Sequence, residues 1–381
     1  MAKLGMPTVV VKFIEAGIEA IQRSQRGIVA LILEDTKQVI DKLATKTNGH
    51  EVLPNPFLVY TVDDIPEELS DKNKDYILKA LKGYNKPPLK IVVYMMQQGG
   101  DKTGADRFQE PLKAMLTERF DYLAIPTIEN AQLEYVATWV KTARENKFKK
   151  IKVVLPGSNA DYEGVINFGN TKVFTADREY KPAEYTARIA GLVAGTNMTQ
   201  SATYAPLGEV IDCDRHTQDE MDAMVNEGKF FIWYDGEKFK MSRAMNSLVT
   251  TSQGKLEGYQ TTKIVDIMDM IYDDIRKTAQ DSYIGKYTND YENKCLLISA
   301  ILGYFKQLEN ERLLQKDYST CEIDCEAVRT YQLSHGLFTK EELAKMSDDE
   351  VKKLDTKKIV FLKAKVRPLD AMEDIQLPIN I

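Results

Sequence analysis

The sequence has few residues of the kinds that build metal sites, disulfide frameworks and acid–base catalytic centres. Its 381 residues include four cysteines and three histidines; the histidines are scattered, and among the cysteines only Cys321 and Cys325 are close in sequence. The cysteines are Cys213, Cys295, Cys321 and Cys325, and the histidines are His50, His216 and His335. Four cysteines are too few for a disulfide scaffold, and the pair at 321 and 325 has no second pair to complete a zinc site. We predict reduced thiols, no metal and no cofactor.

The chain also lacks an excess of basic residues and a long hydrophobic run. Its formal net charge is −6, which does not favour binding to nucleic acid or to an anionic membrane surface. The longest apolar run, Cys295 to Phe305, is much shorter than the about 20 residues that span a bilayer. The first residues do not have the pattern of a signal peptide. We expect a protein that is made and kept in the cytoplasm and whose partners are other proteins.

Catalytic motifs are missing or incomplete. The loop from Gln97 to Gly104 follows a predicted strand, but it has neither the Walker spacing nor the G-x-G-x-x-G pattern of a phosphate cradle. Ser158 is not part of a G-x-S-x-G nucleophile elbow. The most suggestive cluster is Asp212-Cys213-Asp214-Arg215-His216, which could bind a divalent metal or supply an acid and a base. We interpret it as a structural loop that leads into a helix over 217–226, because no other cluster supplies further ligands.

The end of the chain carries two stretches with strict alternation of apolar residues, which predicts β-strands. In the first, Val360, Leu362, Ala364 and Val366 share one face; the second, after a break at Pro368, has Ile375, Leu377, Ile379 and Ile381 on one face. Chain termini usually fray unless a sheet holds them, so this pattern predicts that the last strand joins a sheet.

The beginning of the chain contains a similar strand. Val9, Val11 and Phe13 alternate within a β-branched stretch that is followed by Gly17. The two terminal strands could pair with each other in one chain, which is the commoner arrangement, or each could add to the sheet edge of a neighbouring subunit.

The middle of the chain predicts several domains, because 381 residues exceed the size at which one core keeps growing. A small α+β unit over 21–86 precedes a region in which strands and helices alternate, which predicts a mostly parallel α/β sheet. Two long helices follow, over 262–283 and 290–314. The first has an apolar stripe, and we expect Asp266, Asp269, Asp273 and Asp274 elsewhere on its surface.

Several segments together resemble the contractile tail sheath proteins of phages, defective prophages and R-type bacteriocins, over essentially the whole chain. None of them is a catalytic signature, but their order and spacing are specific. They are Gly27–Leu31, Asp121–Thr127, Ala160–Asn167, 228–236, Ser242–Leu248, Tyr283–Lys286 and Val366–Ile375.

The resemblance implies a structural subunit that stacks as hexameric rings around a tail tube and shortens to drive the tube through a cell envelope. It implies a tail-sheath fold, α/β and α+β, with a central α/β domain, a C-terminal α+β domain and extended arms that exchange β-strands between subunits. The implied strand donors are Val9, Val11, Phe13, Ile375, Leu377 and Ile379; the receiving strand over 359–366 carries Val360, Leu362, Ala364 and Val366; and the linker hinges include Gly17, Pro368 and Leu369. The domains are 1–20 (N-terminal arm), 21–86 (small α+β subdomain), 87–200 (outer α/β domain), 201–366 (inner C-terminal domain) and 367–381 (C-terminal arm).

The implied partners are other copies of the chain, the tail tube protein, and baseplate and tail terminator proteins, with no nucleic acid and no membrane insertion. The particle would be assembled in a bacterial cytoplasm and become part of a phage tail or bacteriocin. Two alternatives are a cytoplasmic α/β enzyme that uses Asp212, Asp214 and His216, and another tail component such as a tube or baseplate protein.

Overall fold

The computed structural model describes residues 20–44, 55–99 and 104–380, and these form two compact units. The larger unit comprises residues 23–273 and 368–380, and the smaller one comprises residues 20–22 and 274–367. Among the described residues, no helix is both long and apolar enough to cross a bilayer.

The larger unit is built around a mostly parallel seven-stranded sheet. The strands of the whole larger unit are β1 (Ile28–Asp35), β2 (Phe57–Val59), β3 (Lys90–Gln97), β4 (Tyr122–Ala124), β5 (Lys152–Pro156), β6 (Val165–Phe168), β7 (Val173–Thr175), β8 (Glu179–Tyr180), β9 (Val210–Cys213), β10 (Lys229–Phe230), β11 (Ile232–Tyr234) and β12 (Phe239–Met241). Its helices are α1 (Lys37–Ala44), α2 (Asp71–Leu81), α3 (Gln109–Met115), α4 (Leu133–Glu145), α5 (Pro182–Ala194) and α6 (Gln218–Asn226).

The order of the central sheet is β10-β6-β5-β4-β1-β3-β2, and only the edge strand β2 runs antiparallel to its neighbour. Helices α2 and α5 contribute to the apolar core on one face, and α3 and α4 contribute to the core on the other. The central strand β1 is buried along nearly its whole length, as its continuous apolar sequence predicts. Strands β7, β8 and β9 form a separate antiparallel sheet, and β11 and β12 form a hairpin.

The smaller unit is mainly helical and contains one two-stranded sheet in its described part. Helix α7 (Thr262–Thr278) begins in the larger unit, and the division between the units falls after Asp273. The remaining elements are α8 (Tyr291–Asn310), β13 (Thr320–Ile323), α9 (Cys325–Ser334), α10 (Lys340–Lys345), α11 (Asp348–Val351) and β14 (Leu362–Lys365).

The structure differs from the sequence predictions in three ways. Strands β1 and β2, predicted to belong to a small α+β unit over 21–86, lie in the same sheet as the strands of the predicted outer domain, and the compact units divide after Asp273 instead of near residue 200. Strands such as β6, β7 and β13 were not predicted because they are short and have no long alternating pattern. The acidic residues of α7 are not confined to its surface, since Asp269 and Asp274 are buried.

Candidate assembly site

The predicted receiving strand is only partly a strand in the described subunit. β14 covers Leu362–Lys365 and pairs antiparallel with β13, with Leu362 opposite Ile323 and Ala364 opposite Cys321. Among the described residues, no third strand pairs with this sheet, so each strand has one open edge. Such an edge presents backbone N–H and C=O groups that a further strand can pair with.

The side chains predicted for the receiving face are incompletely buried within the subunit. Val360 is 41% exposed, Ala364 is exposed, and Leu362 and Val366 are half-buried. Leu362 packs with Phe361 against a small apolar core that includes Ile323. The receiving residues therefore lie together along one segment, and part of their apolar surface remains uncovered.

An apolar groove of about 700 Å³ lies beside the start of this segment. Its lining includes Tyr283, Ile284, Leu297, Ile359 and Val360, and Ile284 is largely exposed. Tyr283 and Ile284 belong to one of the segments that carry the sequence resemblance.

The predicted C-terminal donor residues are large apolar side chains that are mostly exposed. Ile375 is 84% exposed, Leu377 is 75% exposed and Ile379 is 76% exposed. Residues 369–380 form no strand in the described subunit. Full burial of such side chains stabilises by roughly 1.5 to 3 kcal/mol each. Packing of this segment against another apolar surface would therefore be strongly favourable.

The segment before these donors is attached to the larger unit. The ammonium of Lys263 donates to the backbone oxygen of Leu369 over 2.7 Å, and Arg243 Nη2 donates to Asp374 Oδ1 over 2.6 Å. Pro368 and Leu369, the predicted hinge residues, are half-buried. The segment 369–373, where a bend is predicted, is therefore held by polar contacts at both ends, at Leu369 and at Asp374.

The N-terminal donors Val9, Val11 and Phe13 and the hinge residue Gly17 lie outside the described residues. Their roles stay predictions.

The alternative site around Asp212 is used for local structure in the subunit. Asp214 accepts hydrogen bonds from the backbone N–H and the hydroxyl of Thr171, both over 2.6 Å. Asp212 pairs with Arg215 over 2.8 Å, and both side chains are 53% exposed. Helix α6 is capped by Thr217, which accepts from the backbone of Glu220. Among the described residues, no group of three or more His, Cys, Asp or Glu side chains is arranged to hold a metal ion.

Sequence reasoning missed a buried ionic cluster in the larger unit. Asp269 in α7 accepts from both terminal nitrogens of Arg144, each over 2.9 Å, and from the ammonium of Lys152 over 2.8 Å. All three side chains are at most 4% exposed. The cluster joins the first part of α7 to α4 and to β5. The sequence signal that could have indicated a paired charge is a lysine, Lys152, directly beside the apolar run of a predicted buried strand.

A second pair of contacts extends this cluster to the start of the central strand. Arg26 bonds Asp121 over 2.7 Å and Asp273 over 2.8 Å. The other oxygen of Asp121 accepts from the backbone N–H groups of Gly27 and Ile28 over 2.7 and 2.9 Å. These contacts hold the residues at the start of β1 against Asp121, which directly precedes β4.

The cluster changes the proton affinity of its members in different directions. Burial works against ionisation of Asp269, but Lys152 and Arg144 outweigh it and lower its pKa to about 2. Burial raises the pKa of Asp266 above its usual value, although Lys152 and the Tyr122 hydroxyl oppose this shift. The arrangement is that of a structural ionic cluster, since the buried carboxylate of Asp269 accepts three hydrogen bonds from neighbouring cations.

Comparison with known proteins gives one consistent result. Residues 101–247 match the family described as Phage tail sheath protein central domain, and residues 256–381 match the Phage tail sheath C-terminal domain. The chain is 32% identical over 382 residues to the tail sheath protein of Clostridium phage phiCD119, covering 99% of both chains.

Solved structures share the fold. The sheath tail protein from Desulfitobacterium hafniense superposes with a TM-score of 0.67 at 19% identity, over 83% of this chain and 94% of that one. The helical sheath of the anti-feeding prophage in its contracted state superposes with a TM-score of 0.68 at 11% identity, over 99% of each chain. The resemblance and the mixed α/β sheath fold predicted from the sequence are confirmed. The chain belongs to the phage tail sheath protein family and is a structural subunit, not an enzyme.

Proposed function

We propose that this subunit builds a contractile sheath of stacked hexameric rings around a tail tube, and that neighbouring subunits are joined by exchanged terminal strands. The sheath shortens to drive the tube through a target envelope. Its partners are other copies of itself, the tube protein, and baseplate and terminator proteins. The finished assembly is part of a phage tail or bacteriocin particle.

The observation that carries the proposal is the match between an incomplete sheet and an exposed segment with the alternating pattern of a strand in the same chain. β13 and β14 have open edges within the described subunit, and Val360 beside them is exposed. Ile375, Leu377 and Ile379 alternate along a segment, and each of these side chains is at least 75% exposed in the described subunit. Strand addition would satisfy the backbone groups of the sheet and bury the alternate side chains of the donor.

The linkers absorb the movement between rings. The strand pairings persist during contraction, and the backbone bends at Gly17 on the N-terminal side and at Pro368 and Leu369 on the C-terminal side. The charge cluster around Asp269 supports this division of roles, because it ties α7 to α4 and β5 within the larger unit.

Strand donation predicts that the two faces of the C-terminal arm differ in importance. Leu377→Asp with Ile379→Asp places charges on the donated apolar face, and we expect it to abolish striated cylinders in electron micrographs at concentrations where the wild type forms them. The matched control, Gln376→Asp with Asn380→Asp, adds the same charge on the opposite face and should still assemble. Both variants should unfold thermally within about 0.5 kcal/mol of the wild type, because exposed positions rarely affect a fold.

Normal cylinders from the first pair, or equal loss of cylinders in both pairs, would argue against an arm that is recognised by its apolar face.

A further inference from the structure

The carboxylate of Glu373 is held in a polar niche of the larger unit. Ser201 Oγ and Thr203 Oγ1 both donate to Glu373 Oε1, over 3.0 and 2.6 Å. Arg243 Nε lies 3.4 Å from the other oxygen, Oε2. The Glu373 side chain is only 13% exposed, although it sits between the exposed residues Met372 and Asp374.

The niche is organised by its own backbone. The N–H of Thr203 donates to Ser201 Oγ over 3.1 Å, and the N–H of Ala244 donates to Thr203 Oγ1 over 2.9 Å. These bonds occupy acceptor positions of the two hydroxyls, whose oxygens lie 2.9 Å apart, so that their protons can go to Glu373 or to the neighbouring hydroxyl. Two hydroxyl donors beside a guanidinium suit a carboxylate.

Two of the segments that carry the family resemblance meet at this contact. Arg243 comes from Ser242–Leu248, and Glu373 comes from Val366–Ile375. Arg243 also bonds Asp374 over 2.6 Å, and Lys263 holds the backbone of Leu369. Ile375, which directly follows these contacts, is 84% exposed.

We propose that Glu373 is a latch that fixes the point at which the C-terminal arm leaves its own subunit. With the latch closed, the free arm is the seven residues from Ile375 to Ile381, with a reach of roughly 23 Å at about 3.3 Å per residue. With the latch and the Lys263 contact open, the free arm begins at Pro368 and its reach is roughly 46 Å. The latch thus sets how far apart two subunits joined by the arm can lie. This role rests on the proposed strand donation.

The latch is tested on the full-length, unassembled chain by trimming with carboxypeptidase Y, which also releases proline and so passes Pro378, followed by mass spectrometry. The key variant is Ser201→Ala with Thr203→Val, because it leaves the sequence of the arm, and therefore the protease substrate, unchanged. Thr138→Val, an exposed threonine on α4, is the matched control. A second variant, Glu373→Gln, changes only the arm and leaves the niche of the larger unit intact.

In the wild type and in Thr138→Val, trimming should stall near Asp374. In Ser201→Ala with Thr203→Val and in Glu373→Gln it should continue to Pro368, with removal of residues 369–373 faster by about 5- to 30-fold, the effect of losing one or two kcal/mol of hydrogen bonding.

Equal trimming of the wild type and both variants overturns the latch, whatever the assembly behaviour. A wild-type chain that is trimmed to Pro368 without a stall also overturns it. Failure of the proposed function has a different signature, which is sheath assembly that does not depend on Leu377 and Ile379.

Discussion

In the larger unit, the strands of the central sheet are covered by the same chain, whereas the two-stranded sheet of the smaller unit keeps open edges and exposed apolar neighbours. The central strands are covered on both faces, and the edge strands β2 and β10 are only three and two residues long. Short edges offer little backbone to a neighbour. The β13–β14 sheet has four-residue edges and exposed apolar neighbours such as Ile359 and Val360.

This difference separates folding from assembly. The larger unit uses buried charges and close helix contacts to fix one arrangement, while the C-terminal sheet keeps unused pairing capacity. A subunit that must remain folded while its neighbours move benefits from keeping these two roles in different residues. The following predictions test that separation, from the largest expected effect to the smallest.

Asp269→Ala should destabilise the larger unit by about 3 to 5 kcal/mol, because it leaves the buried cations of Arg144 and Lys152 without their shared carboxylate. The measurement is the denaturant midpoint of the transition that reports on the larger unit. The matched control is Asp212→Ala, which removes an aspartate from an exposed pair with Arg215 and should cost at most about 1 kcal/mol. Similar midpoints for the two variants would show that the buried cluster does not stabilise the fold.

Glu209 gives the larger unit a defined response to acid. Its carboxylate bonds Arg188 over 2.5 Å and Lys82 over 3.0 Å, and its side chain is 9% exposed. Burial opposes ionisation, but Arg188 outweighs it and lowers the pKa of Glu209 from 4.5 to about 2. A carboxyl group whose pKa is lowered by folding stabilises the protein above its unfolded pKa and loses that contribution as the pH falls toward its folded pKa.

Glu209→Gln should therefore lower the free energy of unfolding by roughly 3 kcal/mol at pH 7, and the gap to the wild type should close as the pH falls from about 4.5 to about 2. The measurement is a series of denaturant titrations across this range. A gap that stays constant with pH would mean that the charge of Glu209 is not the source of its contribution.

Two glycines in helices test how tightly the interior of each unit is packed around them. A Cβ on Gly191 of α5 would lie 2.0 Å from the backbone oxygen of Ala80 in α2, so Gly191→Ala should cost about 1 to 3 kcal/mol through overpacking. A Cβ on Gly303 of α8 meets no atom within 4 Å, so Gly303→Ala should stabilise the smaller unit by about 0.5 to 1 kcal/mol. Thermal unfolding of the two variants gives the comparison, and a stable Gly191→Ala would mean that α2 and α5 can move apart.

The sequence by itself determined the strong local patterns. They are the continuous apolar run of β1, whose short length and β-branched residues favour a buried strand, the alternation of strands and helices through α5, and the apolar stripe of α7, whose spacing fits a helix. The alternating C-terminal residues indicated a strand but left open whether it pairs within the chain or with a neighbour, and the order of the resembling segments indicated the family.

Only the tertiary structure decided which residues from distant parts of the chain meet. The four aspartates of α7 have the pattern of a solvated face, but Arg144 and Lys152, more than one hundred residues earlier, make Asp269 a buried acceptor. Strand β13 has too few residues to be recognised without β14 beside it. The contact of Glu373 with Ser201 and Thr203 joins positions about 170 residues apart. Local patterns encode the period of an element, while the partner of a charge or a strand edge depends on how the whole chain folds.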